Sequence, residues 1–559
     1  MEPTKTQQEI IAQKGNVVVM ATPGSGKTYV MSEKIKLLLL QDDMRDYQGV
    51  IAISYTRKAS SHLKDRVLEG GISGKNSFSG TIDSFCLTEI LLGFGDYVIG
   101  YPEKEVNTIA LKDLPDEERE EYNWLEKMHP NYDEVGDDKW RALFEFYRKG
   151  FVLVQSLELM ALYVCRKSIA CRNYLKARFR FVFIDEYQDA DTYTDELFRE
   201  LLALGLTGIV VGDKNQSIFG FAHKDSRYLL NLSEDDNFKP FLLNANFRCA
   251  PSIINYSNRL LNEKCELIDS EDKGIVYVKV EGGEEAIADF LSDCIPKLCI
   301  KNEVKNLNEI AILVKNGRTQ TLIDQALTIP HRLVETTVLD QELNPCSRLY
   351  AELLQFYFDP SMKLLSVLDG YLDYDDLSLA AKKELICLKN EIRNVGYDNI
   401  RALSVLFRRV AKIVMPNQSE GLSVEKLGEV LGDEKMLTTY KPASKDEIVL
   451  MTLHKSKGLE FDYVFHLNMN GWELPIKMPR GGDYSNTYYP NYEQDLDLHY
   501  VGITRARKRC VLVGSTLRTK SQGGTSRASE SEFLQLNGLS ELRTNLYYNK
   551  GQWMKLYSG

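Results

Sequence analysis

The chain has 559 residues, with 69 Lys and Arg against 80 Asp and Glu, which gives a formal net charge of −11. This length predicts several domains, and a hydrophobic fraction of 43% with 27% charged residues excludes fibrous, low-complexity and largely disordered proteins. The acidity argues against a protein that coats nucleic acid through bulk charge, but it leaves room for a local basic channel.

The cysteines and the apolar runs exclude several further classes. The ten cysteines include no C-x-x-C pair, which argues against a disulfide framework, a zinc ribbon and an iron–sulfur cluster. Reduced thiols in a cytosolic protein are the simpler interpretation. No apolar run approaches the ~20 residues that span a bilayer, and no signal peptide is visible. We therefore expect a cytoplasmic protein with no membrane partner.

Taken in chain order, short β-branched runs alternate with longer amphipathic stretches, which is typical of α/β proteins. Helical stretches interrupt this pattern at about 91–166 and about 345–440, and 481–492 and 520–531 are predicted as loops. The fold class is thus α/β, with two parallel sheets that each carry an inserted, mainly helical subdomain. The predicted strands are Val17–Met20, Val50–Ser54, Phe181–Ile184, Ile209–Val211, Ile310–Val314, Ile448–Thr452, Val464–Leu467 and Cys510–Gly514.

The first strand leads into a glycine-rich turn and then a helix, an order that presents backbone N–H groups to polyphosphate. Lys27 is predicted to reach the β- and γ-phosphates, and the Thr28 hydroxyl to bind Mg²⁺. Gly24 and Gly26 allow close approach of the phosphates, whereas Ala21 stands where the strict pattern has glycine. The alternative, a flexible glycine turn, does not explain the flanking strand and helix. The nucleotide-binding candidates are Ala21, Thr22, Pro23, Gly24, Ser25, Gly26, Lys27, Thr28 and Tyr29.

Two adjacent carboxylates follow the strand Phe181–Ile184. Asp185 is predicted to hold Mg²⁺ and Glu186 to act as general base on the attacking water. The carboxyl ends of parallel strands are where α/β sheets bind ligands, although a solvated acidic loop is the alternative. Gln216, after the next strand, is a candidate for sensing the γ-phosphate or orienting water.

Together these segments resemble the UvrD/Rep-like branch of superfamily 1 DNA helicases, in the family's order along nearly the whole chain. The other segments that carry the resemblance are 54–59, 80–85, 212–221, 243–248, 448–461 and 500–506. The resemblance implies two RecA-like motor cores. The expected boundaries are 1–90 and 166–272 for the first core, 91–165 for its insertion, 273–344 and 441–535 for the second core, 345–440 for a reduced second insertion, and 536–559 for a C-terminal extension.

The resemblance also implies that ATP binds between the cores. Gln7 would read adenine, with Gln8 as the alternative, and Phe247 would stack on it. Glu460 would contact the ribose. Arg248 would contact the γ-phosphate, joined by Arg505 as an arginine finger from the second core. The catalytic candidates are therefore Lys27, Glu186, Gln216, Arg248 and Arg505, and the metal candidates are Thr28 and Asp185.

The implied DNA contacts are Thr56, Lys58, Thr81, Ser84, Phe219, Phe221 and His454. Phe219 and Phe221 either stack on bases or pack in the core. His454 and Lys455 either contact phosphate or shape their loop. Two departures from the family pattern stand out: Tyr29 replaces an arginine, and Ala222-His223 replaces Arg-Gly. The second departure weighs against full unwinding more than against ATP hydrolysis.

These features imply an ATP- and Mg²⁺-dependent motor that moves 3′ to 5′ on single-stranded or tailed DNA. The chain is also similar to the helicase subunit of Gabija-type antiphage systems, which implies an ATPase–Toprim (OLD-like) nuclease as partner. A DNA-end-sensing ATPase that regulates such a nuclease and a housekeeping repair helicase remain as alternatives. The intact candidates argue against an inactive paralogue. No nuclease signature follows the last motif, so we expect another chain to perform any cutting.

Overall fold

The structure is a computed structural model that describes residues 2–555 except 56, 70, 219, 221–222, 272, 301–303, 342–343, 369–370, 372–376, 417, 419 and 521–522. At 57–58, 61–62, 299–300 and 555 the description covers the backbone alone. The strands, in chain order, are β1 Val17–Ala21, β2 Gly49–Ile53, β3 Phe78–Gly80, β4 Asn107–Ile109, β5 Phe151–Leu153, β6 Phe179–Ile184, β7 Thr207–Gly212, β8 Lys239–Leu243, β9 Ile275–Val280, β10 Ile310–Val314, β11 His331–Leu333, β12 Ile448–Thr452, β13 Phe461–His466, β14 Met478–Arg480, β15 Asp483–Tyr488, β16 Ala506–Ser515, β17 Leu517–Thr519, β18 Thr525–Arg527, β19 Thr544–Asn549 and β20 Gln552–Lys555.

The helices, in chain order, are α1 Lys5–Ala12, α2 Lys27–Leu39, α3 Arg57–Leu68, α4 Ile82–Phe85, α5 Leu92–Val98, α6 Asp116–Tyr122, α7 Trp124–Lys127, α8 Asp137–Arg148, α9 Leu157–Lys167, α10 Ile169–Arg178, α11 Thr192–Ala203, α12 Arg227–Ser233, α13 Pro251–Leu261, α14 Glu284–Ile300, α15 Gly317–Ala326, α16 Val338–Gln341, α17 Pro345–Phe358, α18 Leu364–Leu368, α19 Leu379–Asn394, α20 Leu403–Val414, α21 Ser423–Gly432, α22 Glu434–Tyr440 and α23 Tyr492–Thr504.

The first sheet has the order β3-β2-β6-β7-β1-β8, and all its strand pairs are parallel. Helices on both faces bury the sheet, so its central strands are almost wholly apolar. β1, β6 and β7 therefore deliver the residues that follow them to the same edge. The strands predicted in this half of the chain are confirmed.

The second sheet has the order β11-β12-β10-β13-β16-β9-β19-β20, and only β20 is antiparallel to its neighbour. The strands predicted in this half are confirmed as well, and with them the α/β fold class with two parallel-stranded cores. Residues 536–559, expected to form an extension, contribute β19 and β20 to this sheet.

Both sheets carry the expected mainly helical insertions, but these are buried in different ways. The helices between β3 and β6 share one hydrophobic core with the first sheet, which includes Phe85, Leu157 and Phe179. The helices between β11 and β12 form a hydrophobic core of their own, from Leu339 to Tyr440. Along the described chain, no helix combines the length and apolar character needed to cross a bilayer.

The loop predictions for 481–492 and 520–531 are partly wrong. Two antiparallel hairpins, β14–β15 and β17–β18, occupy parts of these segments. Their turns contain the glycine pairs Gly481-Gly482 and Gly523-Gly524, which have φ values of 59°, 83°, 87° and 73°. The hairpin strands are mostly exposed and polar, so they lack the apolar alternation by which a strand is recognised from sequence.

Candidate nucleotide site between the two cores

The phosphate loop is residues 22–26, between β1 and α2. Gly24 and Gly26 have φ values of 70° and 86°, a region that favours glycine. Space also requires glycine, because a Cβ on Gly24 would lie 2.6 Å from the Oδ1 of Asn246, and one on Gly26 would lie 2.7 Å from the Nε2 of Gln7. The loop thus presents its backbone at the N-terminus of a 13-residue helix, which favours an anion.

Several predicted loop residues hold the loop rather than face outward. The Thr22 N–H donates to the Leu243 carbonyl at 2.9 Å, and the Ser25 hydroxyl donates to the Thr22 carbonyl at 2.7 Å. Ala21 ends β1 and is buried, and Pro23 precedes Gly24 in the turn. Tyr29 is half-buried in the first turn of α2.

Gln7 is buried against the phosphate loop. Its Nε2 donates to the Ser25 carbonyl at 3.0 Å, and its Oε1 accepts from the Thr4 N–H at 2.9 Å. Gln8 is exposed and donates to the Pro3 carbonyl. Of the two glutamines, the structure therefore brings Gln7 next to the loop.

The two carboxylates lie at the end of β6. The Asp185 N–H donates to the Ile53 carbonyl, and the Asp185 Oδ1 accepts from the Glu186 N–H at 2.9 Å. Glu186 has a φ of 56°, an uncommon value for a residue other than glycine. This conformation brings its Oε2 to 3.5 Å from the Lys27 Nζ, and Gln188 donates to the same oxygen at 2.5 Å.

Electrostatics distinguishes the two carboxylates. Burial and the neighbouring Glu186 raise the pKa of Asp185 to about 7. Burial works against ionisation of Glu186 too, but the ammonium groups of Lys27 and Lys457 lower its pKa to about 2. Burial likewise opposes the charge of Lys27, yet Glu186 and Asp213 raise its pKa overall. Glu186 is therefore an ionised carboxylate at neutral pH and Lys27 a cation, as their predicted roles require.

Gln216 connects the two cores. Its Nε2 donates to the Asp213 Oδ2 at 2.7 Å, and its Oε1 accepts from the Arg505 Nη2 at 3.2 Å. Arg505 is 2% exposed and also donates to the Val501 and Leu459 carbonyls. Burial and nearby Arg248 lower the pKa of Arg505 to about 10, so the guanidinium keeps its charge at neutral pH.

Arg248 and Glu460 form a second contact across the cleft, with 2.5 Å between the arginine Nε and the carboxylate Oε2. The segment before Arg248 is fastened to the phosphate loop, because the Phe247 N–H donates to the Gly24 carbonyl at 2.9 Å. The Phe247 side chain is 45% exposed, so its ring is accessible at the mouth of the cleft.

Two residues of the cleft were assigned no role from the sequence. Lys457 forms a buried ion pair with Asp189 of the first core and donates to the Gln216 carbonyl at 2.7 Å. Lys457 lies within the segment 448–461, which was recognised from the sequence, but its ion-pair partner Asp189 could not be identified in that way. Asp497, on α23, faces Asp213, Asp189 and Lys457. No motif pointed to it, because two of these neighbours, Asp189 and Asp213, come from the other core.

Asp497 gives a pH-dependent prediction. Burial and the Asp213 carboxylate raise its pKa to about 8, from an ordinary value of 3.8. Between these two pH values Asp497 is protonated in the folded chain but ionised in the unfolded chain. A rise in pH over this range therefore lowers the free energy of unfolding of the wild type, until Asp497 ionises in the folded chain as well at about pH 8. We expect Asp497→Asn to have a higher melting temperature than the wild type, by a margin that grows from about pH 6 to about pH 8 and then levels off.

Thermal unfolding across this pH range measures the effect. Asp446→Asn, the same change at an exposed carboxylate before β12 of the same core, is the matched control and should show no such growth. A margin for Asp497→Asn that stays constant with pH would contradict the assignment.

The structure places part of the predicted DNA-contact set. The Thr81 Oγ1 accepts from the Ser84 N–H at 3.2 Å and so caps α4, and Ser84 is 8% exposed. The candidates Thr56, Phe219 and Phe221 and the side chain of Lys58 lie outside the described residues.

The loop-shaping alternative for 454–455 receives support from local contacts. Burial and nearby Lys315 lower the pKa of His454, and its ring lies against the Ile218 carbonyl. The Lys455 Nζ donates to the Val334 carbonyl at 3.1 Å. A neutral ring and an ammonium engaged with backbone favour a role in shaping this loop over contact with phosphate.

His223, at one of the positions that depart from the family pattern, contacts the first insertion. Its ring stacks on His129 with centroids 4.7 Å apart and an interplanar angle of 8°, and its Nε2 lies within hydrogen-bond distance of the Glu126 carbonyl at 2.5 Å. Next to it, Lys224 binds Asp191 at 2.6 Å and Glu158 at 3.6 Å. His223 and Lys224 are thus fastened to the helical insertion.

Comparison with known proteins gives two family matches and several relatives of similar extent. Residues 5–222 match the family model of an AAA domain, and residues 362–516 match that of the UvrD-like helicase C-terminal domain. The chain is 26% identical to the Gabija protein GajB of Bacillus cereus (strain VD045), over 91% of this chain and 94% of that protein. It is 24% identical to the ATP-dependent DNA helicase PcrA of Bacillus subtilis (strain 168), over 94% of this chain and 84% of PcrA. It is also 24% identical to the ATP-dependent DNA helicase Rep of Buchnera aphidicola subsp. Schizaphis graminum (strain Sg), over 88% and 90% of the two chains.

Proposed function

We propose that this chain, which belongs to the UvrD-like superfamily 1 helicases, is an ATP-dependent motor that binds single-stranded DNA and couples hydrolysis to 3′–5′ translocation or unwinding. Its relatives PcrA and Rep are named ATP-dependent DNA helicases. The observation that carries the proposal is the contact between Gln216 and Arg505. It brings the two cores together beside Lys27 and Glu186, where the phosphates of ATP would lie.

In this proposal the first core holds and activates the reactants. The backbone of residues 22–28 cradles the phosphates, and Lys27 binds the β- and γ-oxygens. Glu186 accepts the proton of the attacking water, and Gln216 orients that water. The Lys27 Nζ and the Glu186 Oε2 lie 3.5 Å apart. When ATP binds, the two side chains move apart to admit the γ-phosphate between them.

The second core completes the site. Its Arg505 joins Arg248 of the first core in stabilising the negative charge on the transferred phosphoryl group, and the two arginines achieve this fully only when the cleft is closed. Arg248 must leave Glu460 to do so, which frees Glu460 for the ribose. Nucleotide binding therefore breaks the Arg248–Glu460 contact between the two cores and replaces it with contacts from both residues to ATP, which links binding to the relative position of the cores.

Mg²⁺ fits the residues present. The Thr28 hydroxyl and the Asp185 carboxylate are hard oxygen donors, which Mg²⁺ prefers, and the ionised Glu186 lies next to buried Asp185. Among the described residues, no group of three or more His, Cys, Asp and Glu is arranged to hold a metal alone, as expected for an ion that keeps waters and phosphate oxygens. When bound, Mg²⁺ would neutralise charge on the phosphates.

Similarity to the Gabija protein GajB over most of both chains supports a role in antiviral defence with an ATPase–Toprim (OLD-like) nuclease as partner. A second candidate is a DNA-end-sensing ATPase that regulates this nuclease with little unwinding. The attachment of His223 to the helical insertion favours this candidate, because His223 then engages protein at one of the two positions where the family pattern has Arg-Gly. A nuclease gene beside this one would favour either defence role over housekeeping repair.

The test uses the purified full chain. ATP hydrolysis is measured with and without single-stranded DNA, and unwinding is then measured on duplexes with a 3′ or a 5′ tail. We expect strong stimulation by DNA and unwinding of the 3′-tailed duplex alone. Stimulation by DNA without unwinding would favour the DNA-end-sensing ATPase over the motor. A rate of ATP hydrolysis that does not change when DNA is added would overturn both candidate functions.

A further inference from the structure

The first helical insertion contains an open cavity of about 500 Å³ that is separate from the nucleotide cleft. Four aromatic residues, Tyr132, Trp140, Phe144 and Tyr163, form its wall. Its size lies within the range of small-molecule sites. None of its lining residues was assigned a role from the sequence, and none belongs to the cleft.

The rings of the wall contact one another. The Tyr163 centroid lies 4.7 Å from that of Trp140 and 4.8 Å from that of Phe144, and Trp140 and Phe144 are nearly parallel at 29°. Trp140 is 9% exposed, whereas Phe144 and Tyr163 are half-buried. Mutual packing therefore fixes the rings while part of their surface faces the cavity.

Charged residues complete the cavity where an ordinary core would have aliphatic ones. Arg141, Arg148 and Lys167 line it and are exposed, and the Lys167 Nζ lies 5.9 Å from the Tyr163 ring centroid. In the part of the chain that the structure describes, these three cations form no ion pair. Two carboxylates, Asp133 and Asp137, also line the cavity.

This combination selects a class of ligand. Aromatic faces bind a flat ring, unpaired cations bind a phosphate, and carboxylates accept hydrogen bonds from the amino or ring N–H groups of a base. A quaternary ammonium would suit the rings but not three cations. An inorganic anion would leave the rings and carboxylates without a partner. A nucleotide matches all three features.

The cavity is also connected to the first core. Arg166 lies over the Tyr132 ring, with 4.3 Å to its centroid, and binds Glu196 at 2.9 Å and Glu200 at 2.7 Å. Both glutamates are on α11, the helix that follows the catalytic carboxylates. The wall of the cavity is therefore attached to the first core through Arg166.

We propose that this cavity is an accessory site that holds one nucleotide of single-stranded DNA, with its base on the aromatic wall and its phosphate on Arg148 and Lys167. The choice of DNA as the source of the nucleotide rests on the proposed function. The site adds affinity for DNA without taking part in ATP hydrolysis.

Charge reversal at the rim tests the phosphate contacts. We expect Arg148→Glu/Lys167→Glu to weaken binding of a short oligothymidylate by about tenfold or more and to reduce its salt dependence. The control Lys127→Glu/Lys149→Glu makes the same net change at exposed lysines of the same insertion that do not line the cavity. Equal weakening in the two double variants would overturn the proposal.

Tryptophan fluorescence of the full chain tests the stacking. The chain has four tryptophans, and Trp140 alone lines the cavity. We expect oligothymidylate to quench the fluorescence, and Trp140→Phe to remove most of the quenching with little loss of affinity. Quenching that is unchanged in Trp140→Phe would overturn the proposal. Thymidine monophosphate that quenches as tightly as the oligonucleotide would overturn the assignment to DNA.

The test of the cavity can be distinguished from the test of the proposed function. DNA-stimulated hydrolysis is measured on the same preparations. Its absence from the wild type would overturn the proposed function, while quenching through Trp140 would still establish the cavity as a nucleotide site.

Discussion

Glu186→Gln is expected to lower kcat for ATP hydrolysis by about 10²- to 10⁴-fold, because the amide cannot accept the proton of the attacking water. The structure places this carboxylate 3.5 Å from the Lys27 ammonium, and the nearby ammonium groups keep it ionised. Glutamine has nearly the same shape, so the loop geometry and ATP affinity should persist. Steady-state hydrolysis with saturating DNA and binding of a fluorescent ATP analogue measure the two quantities.

Glu33→Gln makes the same chemical change on α2, where Glu33 pairs with Lys36 on the helix surface, and should leave kcat unchanged. Turnover of Glu186→Gln within about tenfold of the wild type would show that another group acts as the base.

Arg505→Lys is expected to lower kcat by about 10³-fold or more, which is the usual contribution of an arginine finger. Lysine keeps the positive charge but cannot reproduce the fork that donates to Gln216 while it also holds the Val501 and Leu459 carbonyls. Hydrolysis should fail because the two cores no longer position charge at the transferred phosphoryl group, whereas binding of ATP to the first core should remain.

The control is Arg518→Lys, the same change on the β17–β18 hairpin of the same core. Because Arg505 is fully buried, loss of stability is measured separately by thermal unfolding. A double-mutant cycle with Gln216→Ala separates the two causes. If the side chains act as a unit, the combined loss in kcat is smaller than the product of the single losses. If the loss in kcat of the double variant equals the product of the two single losses, Arg505 and Gln216 act independently, which would contradict this prediction.

Local pattern was sufficient for much of the fold. Strands such as Ile310–Val314 and Ile448–Thr452 were recognised to the residue, because strands buried on both faces are continuous apolar runs. The edge strand β8 was missed because it begins with Lys239-Pro240 and is only partly buried, so its apolar run is short. The hairpins were missed because their polar, exposed residues carry no such signal. β19 and β20 were missed for a different reason: β19 joins the sheet by pairing with β9, more than 200 residues earlier, and β20 pairs with β19.

The candidate site divides in the same way. Lys27 and Thr28 could be recognised because the phosphate loop is one continuous segment with a strand before it and a helix after it. The pairs Lys457–Asp189 and Arg248–Glu460 could not, since each partner lies in a different core. The choice between Gln7 and Gln8 was likewise open until α1 was seen to bury one and expose the other.

By itself, the sequence determined that this acidic chain has an α/β fold with a phosphate loop, and its ordered motifs indicated the helicase family, because these features are written in short contiguous segments. Only the tertiary structure decided which charged groups meet across the cleft, which carboxylate stays ionised, and that an aromatic cavity rimmed by cations exists in the first insertion. These properties depend on distance and burial, which arise when segments remote in the chain pack together. The net charge of −11 is likewise a sum over the whole molecule, whereas DNA would meet the local groups that folding gathers.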